Sequence, residues 1–468
     1  MDTYLIKKDL TKGLHFYISF KNLNNLMHDD LLNHTTKYAR LLKAINEYLV
    51  TLESECKSLS SNIYIEKIAD SRIHCVIEEC EQLPKFFYLI VSAAFNYIDV
   101  INDEIMKKSG LPNLIINCGV DYGFYVDYAT NFEINNEDNS IGYPCNKAAK
   151  IQSEANDFEI LLSKASYARL IIGDFKYSVK SLDPSRKILS GTIYEGEICY
   201  SIRKYELEIT RLENQYFINE SLYNQFRKKI SIFDDRILNE SQIANLSGDI
   251  KTNCSVLYCD IRGFTRKFNK DGSNLVSMAK HTSDCLEKMY NCTRGNMQHL
   301  QFQGDRELAI SDRDIGRTIK NAFLLIDEFK KQQKFLTESQ ILDTSGTSIG
   351  IGIAFGDIFL AHVGIRGSKD PLVLGNVPVY ADYAEDKIAK RDFKISLHKS
   401  AYEEATKNPT DPLCLTVKSC FAISSNPEYY ISKDGISYAE YSGLFTKFYN
   451  ELNSQNQSNT GAKPWRIE

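Results

Sequence analysis

The sequence lacks any broad field of positive charge. Its 56 Lys and Arg stand against 61 Asp and Glu, a net charge of −5. That balance argues against a surface built to hold nucleic acid or anionic lipid, so phosphate binding must rest on local sites. An RNA-binding module of ferredoxin-like type is disfavoured too, because no aromatic-basic sheet motif is present. The 12 cysteines form no CxxC pair and no Cys/His cluster at zinc spacing. Scattered free thiols suit a reducing, cytoplasmic setting. The opening MDTYLIKKDL carries no apolar core of signal-peptide type. The longest apolar run, Phe86 to Ile101, is interrupted by Asn96 and Asp99. It falls short of the ~20 residues of a membrane span and predicts a buried helix.

What is present is the composition of an ordinary globular protein: 468 residues, 43% hydrophobic and 25% charged. One order of features occurs twice. A strand-like run opens each half, LHFYISF (Leu14 to Phe20) and SVLYCDI (Ser255 to Ile261). Helical patterns follow, His34 to Cys56 and Leu275 to Asn291. Then come hairpins with polar turns, at Asp70 in IYIEKIADSRIHCVI and at Asp305 in HLQFQGDRELAI. Second helical patterns run over Leu83–Lys107 and Arg313–Lys331, followed by longer hairpins expected to turn around Gly123 and Gly356.

This is the β-α-β-β-α-β order of an α+β, ferredoxin-like plan. The expected boundaries are 1–203 for the first domain, 204–250 for a helical connector and 251–430 for the second domain. Residues 431–468 form a C-terminal extension whose polar end, NSQNQSNTGAKPWRIE, is expected to be disordered.

The sharpest local signal is Cys259-Asp260-Ile261-Arg262-Gly263-Phe264-Thr265. An acid at a strand end runs into a glycine turn expected to open a helix, whose N–H groups would cradle phosphate. The second acid, Asp305, sits on a hairpin turn that a ferredoxin-like sheet makes the neighbour of that strand. Paired carboxylates beside a triphosphate suit Mg²⁺ or Mn²⁺. A lone Asp at a turn is usually just solvated; two acids beside a glycine turn outweigh that reading.

The strings VLYCDIRGFT and FQGDRELA resemble the metal-binding motifs of class III adenylate and guanylate cyclases. The resemblance implies two such domains in tandem as a pseudo-symmetric intramolecular dimer, a monomer sufficing. It implies Asp260 and Asp305, with Ile261 beside them, at two Mg²⁺ or Mn²⁺ ions, and triphosphate on Arg262, Gly263, Phe264 and Thr265. The ions would activate the ribose 3′-hydroxyl and stabilise the leaving pyrophosphate. The family pattern G-x-x-V-N-x-A-x-R is matched by Gly142 to Lys150. There Asn146 takes the ribose-orienting Asn place and Lys150 the place of the phosphate-binding Arg. Lys is a point charge that cannot fork onto two oxygens.

The halves have complementary losses. Ser19 aligns with Asp260, leaving Asp70 as the first half's acid. In the second half Val379 and Tyr383, or in a shifted register Asp382 and Asp386, replace the Asn and the cation. One composite site is expected.

For the base, counting three residues back from Ala69 gives Glu66, with Asn139 as partner and Tyr64 on the same strand face. The family rule associates Lys at this place with ATP and Glu with GTP. A carboxylate suits guanine or cytosine donors, so ATP is disfavoured and CTP is preferred over GTP, with UTP open. The chain is also similar to prokaryotic pyrimidine cyclases of anti-phage signalling. That implies cCMP or cUMP as product and a separate cyclic-nucleotide-sensing effector. The rivals are a non-catalytic nucleotide sensor and a palm-like polymerase or dinucleotide cyclase; no GGDEF-type string supports the latter.

Overall fold

The computed structural model describes residues 4–26, 35–69, 71–132, 135–171, 180–181, 189, 192, 194–214, 218–232, 248–269, 271–293, 297–312, 314–338, 346–365, 368–390 and 393–460. Its first sheet is built from β1 (Tyr4–Phe20), β2 (Ile63–Ala69), β3 (Arg72–Glu78), β4 (Ile116–Phe132), β5 (Asn135–Gly142), β6 (Glu159–Ser163), β7 (Lys180–Ser181) and β8 (Cys199–Arg203). The order is β2-β3-β1-β4-β6-β8-β7, with β5 paired to β4.

The second sheet uses β9 (Gly248–Arg262), β10 (Gln298–Gln303), β11 (Arg306–Asp312), β12 (Ser348–Ile365), β13 (Ser368–Leu374), β14 (Lys394–His398), β15 (Phe421–Ile423) and β16 (Tyr429–Ser432). Its order is β10-β11-β9-β12-β14-β16-β15, with β13 paired to β12. The two connectivities are the same, so the repeat read from the sequence is a repeat of topology.

Two expectations need correction. Gly123 and Gly356 are not turns: β4 and β12 run straight through them, and the hairpin partners are the following strands β5 and β13. Apolar alternation continues across each glycine, and glycine in an extended strand often marks close approach of another backbone. The polar tail also holds more structure than its composition suggests. The helix Tyr438–Thr460 takes up its first residues, and only 461–468 lie outside the described range.

The apolar run becomes the helix Leu83–Ile101, buried against the sheet and extended by a π-helical turn, Asn102–Met106. Leu83–Met106 is long and apolar enough to cross a membrane, but 78% of its most apolar window is buried inside the fold. Its Tyr97 hydroxyl donates to Glu55 on the neighbouring helix Thr35–Leu59 at 2.5 Å. The connector supplies helices Lys204–Asn214 and Glu220–Ile232. All 12 cysteines are free thiols.

By packing, the chain forms two compact units. One takes Met1–Ile250 with Thr265–Ser283 and Phe359–Gly375; the other takes Lys251–Phe264, Asp284–Ile358 and Asn376–Glu468.

Each central strand carries a glycine notch. At Gly119 in β4 a Cβ would collide with backbone of Gln152 and Ala148, in the helix Tyr143–Ser153. At Gly352 in β12 it would collide with Ala381, in the helix Asn376–Tyr383, and Glu385, in the π-helical turn Ala384–Ile388 that continues it. Both helices therefore lie directly on strand backbone.

Candidate functional site

Register brings the two acids of the second half together. Asp260 on β9 pairs with Arg306 on β11. The next residue, Ile261, donates its N–H to the Asp305 carbonyl at 3.2 Å. Between the strands Gly304 has φ +71, the left-handed region that favours glycine. Gly263 has φ +75, and a Cβ there would strike the Gly346 carbonyl. The turn after it is a short 3₁₀ segment, Phe264–Lys267, and the long helix begins only at Leu275. That corrects the expected glycine-to-helix entry: the glycine turn runs into a single 3₁₀ turn and not into the N-terminus of a long helix.

Cations already frame these acids. Arg306 lies over the Tyr258 ring at 3.9 Å, pairs with Asp382 and reaches Glu385 at 3.5 Å. Arg262 donates to the Glu385 carbonyl and carboxylate, so its guanidinium faces that acid. Burial, then the Asp260 charge, push the Glu385 carboxyl up to about 8, with Arg306 and Arg262 pulling the other way. A shifted register had offered Asp382 and Asp386 for the missing Asn and cation. Asp382 instead partners Arg306, and Asp386 lies 2.5 Å from Lys387. Val379 is exposed, and Tyr383 stacks on Tyr429.

The first sheet repeats this geometry with different residues. Ser19 faces Arg72 as Asp260 faces Arg306. Phe20 donates to the Ser71 carbonyl at 2.8 Å as Ile261 does to Asp305. Ser71, not Asp70, therefore stands at the Asp305 place, and the first half has serine at both acid positions. Asp70 corresponds to Gly304 and lies outside the described residues.

The same register corrects the base count. Both hairpins carry a bulge, between Ile65 and Lys67 and between His299 and Gln301. Matching bulges make Glu66 the extra residue of the strand and put Lys67 three before the hairpin-glycine place. Lys67 is buried and donates to Asn139 Oδ1 at 3.0 Å. The count from Ala69 was one short because the first hairpin has no glycine to mark its tip.

Glu66 and Tyr64 converge on another pair. Ser140 Oγ lies 2.7 Å from Glu66 Oε2 and 2.6 Å from Asp127 Oδ1, and the Tyr64 hydroxyl donates to Asp127 Oδ2 at 2.7 Å. A serine has one proton to donate, so Ser140 can serve only one of these carboxylates at a time. Burial raises the Glu66 pKa, but His74, His15 and Ser140 outweigh it and hold the carboxyl at about 2. Tyr64 also packs against Val76, Tyr125 and Cys145.

On the helix Tyr143–Ser153, Asn146 and Lys150 are one turn apart and share a face. Asn146 Nδ2 donates to Thr265 Oγ1 at 2.7 Å, and Lys150 is exposed. Both residues of that hydrogen bond belong to the same compact unit. Lys147 turns inward toward Asp121, at 3.8 Å, and Glu197. Burial raises Asp121 to about 6 against the pull of Lys147 and Ser163.

Sequence reasoning missed the Arg306–Glu385–Arg262 frame and the contacts of His15, His74, Glu66 and Ser140. Both depend on register across strands, which local pattern does not carry.

No protein-family model matches the sequence, and no curated protein matches it. Among solved structures, the chain is similar to a class III adenylyl cyclase-like ATP-binding protein from Pseudomonas aeruginosa. The identity is 16%, the coverage 93% of this chain and 90% of that one, and the TM-score 0.70. It also aligns over 40% of its length with 97% of the adenylyl cyclase CyaB from the same organism, at 16% identity and a TM-score of 0.33. The fold is therefore that of class III cyclase-like proteins. The long match extends through both of its sheets, so the tandem arrangement is part of that likeness.

Proposed function

We propose that this chain is a nucleotide cyclase that converts a nucleoside triphosphate to a 3′,5′-cyclic monophosphate and pyrophosphate. The observation that carries the reading is the adjacency of Asp260 and Asp305 at one strand end. Oxygen donors of this kind fit hard divalent ions such as Mg²⁺ or Mn²⁺. Bound there, such ions supply the Lewis acidity that lowers the pKa of a ribose 3′-hydroxyl and offsets charge on the leaving group.

The other roles fall to side chains. Asn146, fixed by Thr265, orients the ribose, and that restriction of geometry is itself a large part of the rate. Lys150 offsets charge developing at the α-phosphate. With serines at the first half's acid positions, Asp260 and Asp305 are the paired acids of this site.

For the base, the geometry supports ATP best. Lys67 stands at the reading position and is oriented by Asn139; an ammonium donates to an acceptor such as adenine N1. The pyrimidine reading, with CTP giving cCMP or UTP giving cUMP, and the guanylate alternative both rest on Glu66. That carboxylate is turned toward His74 and Ser140. An anti-phage role belongs with the pyrimidine reading. A second reading, nucleotide binding without turnover, is favoured by Lys150 in the Arg place. The Pseudomonas protein of the same fold is described as ATP-binding, in keeping with either.

The test is product analysis: the protein with Mn²⁺ and each of ATP, GTP, CTP and UTP, read by mass spectrometry. Cyclic AMP is the expected product. A cyclic pyrimidine would return base reading to Glu66, and tight binding without product would favour the sensor. Lys67→Met is expected to cut the preference for ATP by roughly ten- to a hundredfold, the worth of one good base contact. Competition kinetics between nucleotides measure it, and an unchanged preference would rule Lys67 out.

A further inference from the structure

Three polar groups in the first sheet are used by none of the roles that the ATP reading assigns. His15 on β1, Glu66 on β2 and His74 on β3 come from adjacent strands, and their ligand atoms all lie within 4.8 Å of one another. His15 Nδ1 is 3.0 Å from His74 Nε2, and His74 Nδ1 is 3.0 Å from Glu66 Oε2. We propose that these three residues form a site for a divalent transition-metal ion of the zinc type, separate from the carboxylates that would take Mg²⁺ or Mn²⁺.

The donor set selects the ion. Two imidazoles suit zinc, and Glu66, on the second nitrogen of His74, stands where a carboxylate orients a ligating imidazole, whereas Mg²⁺ prefers oxygen alone. Two nitrogens sharing a tetrahedral ion at Zn–N of ~2.0–2.1 Å sit about 3.3 Å apart, close to the 3.0 Å found between the rings. The rings are held in place: Tyr17 stacks on His74 at 4.2 Å, and Tyr125 meets His15 edge-on at 4.3 Å. Burial first, then His74, lower His15 to about 3, with Glu66 opposing. His15 is therefore neutral near pH 7 and has a nitrogen lone pair to give. Glu66, held ionised, supplies negative charge.

A second observation is independent of that geometry. The other sheet gives a measure of what the fold itself needs here. Registers match His15 to Val256 and His74 to Leu308, both fully buried, and the matching bulges set Glu66 against Leu300. The same topology is thus built elsewhere in the chain with buried hydrocarbon at both histidine places. Polar groups there answer to something other than packing.

The test uses the full chain and bound metal as its readout. Protein stripped with a chelator is titrated with Zn²⁺ and, separately, Co²⁺. The expected result is one tightly held ion per chain by elemental analysis, visible d–d absorption from Co²⁺, and a melting temperature raised by Zn²⁺. The triple variant His15→Val, Glu66→Leu, His74→Leu copies the other sheet and is expected to lose that ion, whereas Asp260→Asn keeps it. No bound ion in the folded wild type would overturn the proposal, and so would equal binding by wild type and triple variant. If the triple variant does not fold, the wild-type titration still decides. Because neither arm measures cyclisation, failure here leaves the cyclase reading standing, and absence of product leaves this site standing.

Discussion

Asp260→Asn is expected to lower metal-dependent product formation by roughly a thousandfold. The substitution keeps the shape of the side chain and removes the charge. Lewis-acid stabilisation by a bound ion is worth several kcal/mol, and each ~1.4 kcal/mol is a factor of ten in rate. Asp260 belongs to a charge frame, so a second effect follows. Its anion is one of the causes holding Glu385 up near 8, and its removal leaves Arg306 and Arg262 to draw Glu385 toward ionisation. The folded protein should be no less stable as a result. Initial rates at saturating Mn²⁺, with circular dichroism as a control on folding, check the first claim; product formation at the wild-type rate would end the role of Asp260 as a metal ligand.

The largest structural effect is expected from Gly352→Ala. The added methyl would meet the Ala381 carbonyl and the Glu385 N–H of the crossing helix. These are backbone atoms, so no rotamer change relieves the clash. The helix must lift, and with it Asp382 and Glu385 move away from Arg306 and Arg262. Overpacking costs ~1–3 kcal/mol and more where backbone must shift. About 3 kcal/mol corresponds to a fall in melting temperature of roughly 6–12 °C for a unit of this size. A melt within about 2 °C of wild type would mean that the helix yields freely. Gly119→Ala tests the same notch in the other sheet, against Gln152 and Ala148.

Much of this was legible in the chain itself. The repeat was readable because the same strand, helix and hairpin order recurs, and both sheets have it. The acids were readable because each sits on a local motif: a strand end before glycine, and a hairpin tip. What escaped was register. In the second hairpin Gly304 marks the tip and Asp305 follows it; in the first there is no glycine, and the count slid by one. That single step exchanged Lys67 for Glu66 at the place three before the hairpin tip. Bulges are invisible to a period-two pattern because they break it by one residue. His15 and His74, 59 positions apart, meet only once strands are laid side by side. The turns at Gly123 and Gly356 were misread for a related reason: glycine in a strand can mean a close neighbour as readily as a bend.

The division of the chain into units has a further consequence. The backbone passes from one unit to the other five times, after residues 250, 264, 283, 358 and 375. The residue after Phe264, Thr265, is the one that holds Asn146. Cutting at the connector would deprive the first fragment of Thr265–Ser283 and Phe359–Gly375, two stretches that pack within its unit. The compact units are therefore not the two halves of the sequence, and a fragment ending at the connector is expected to melt below the full chain.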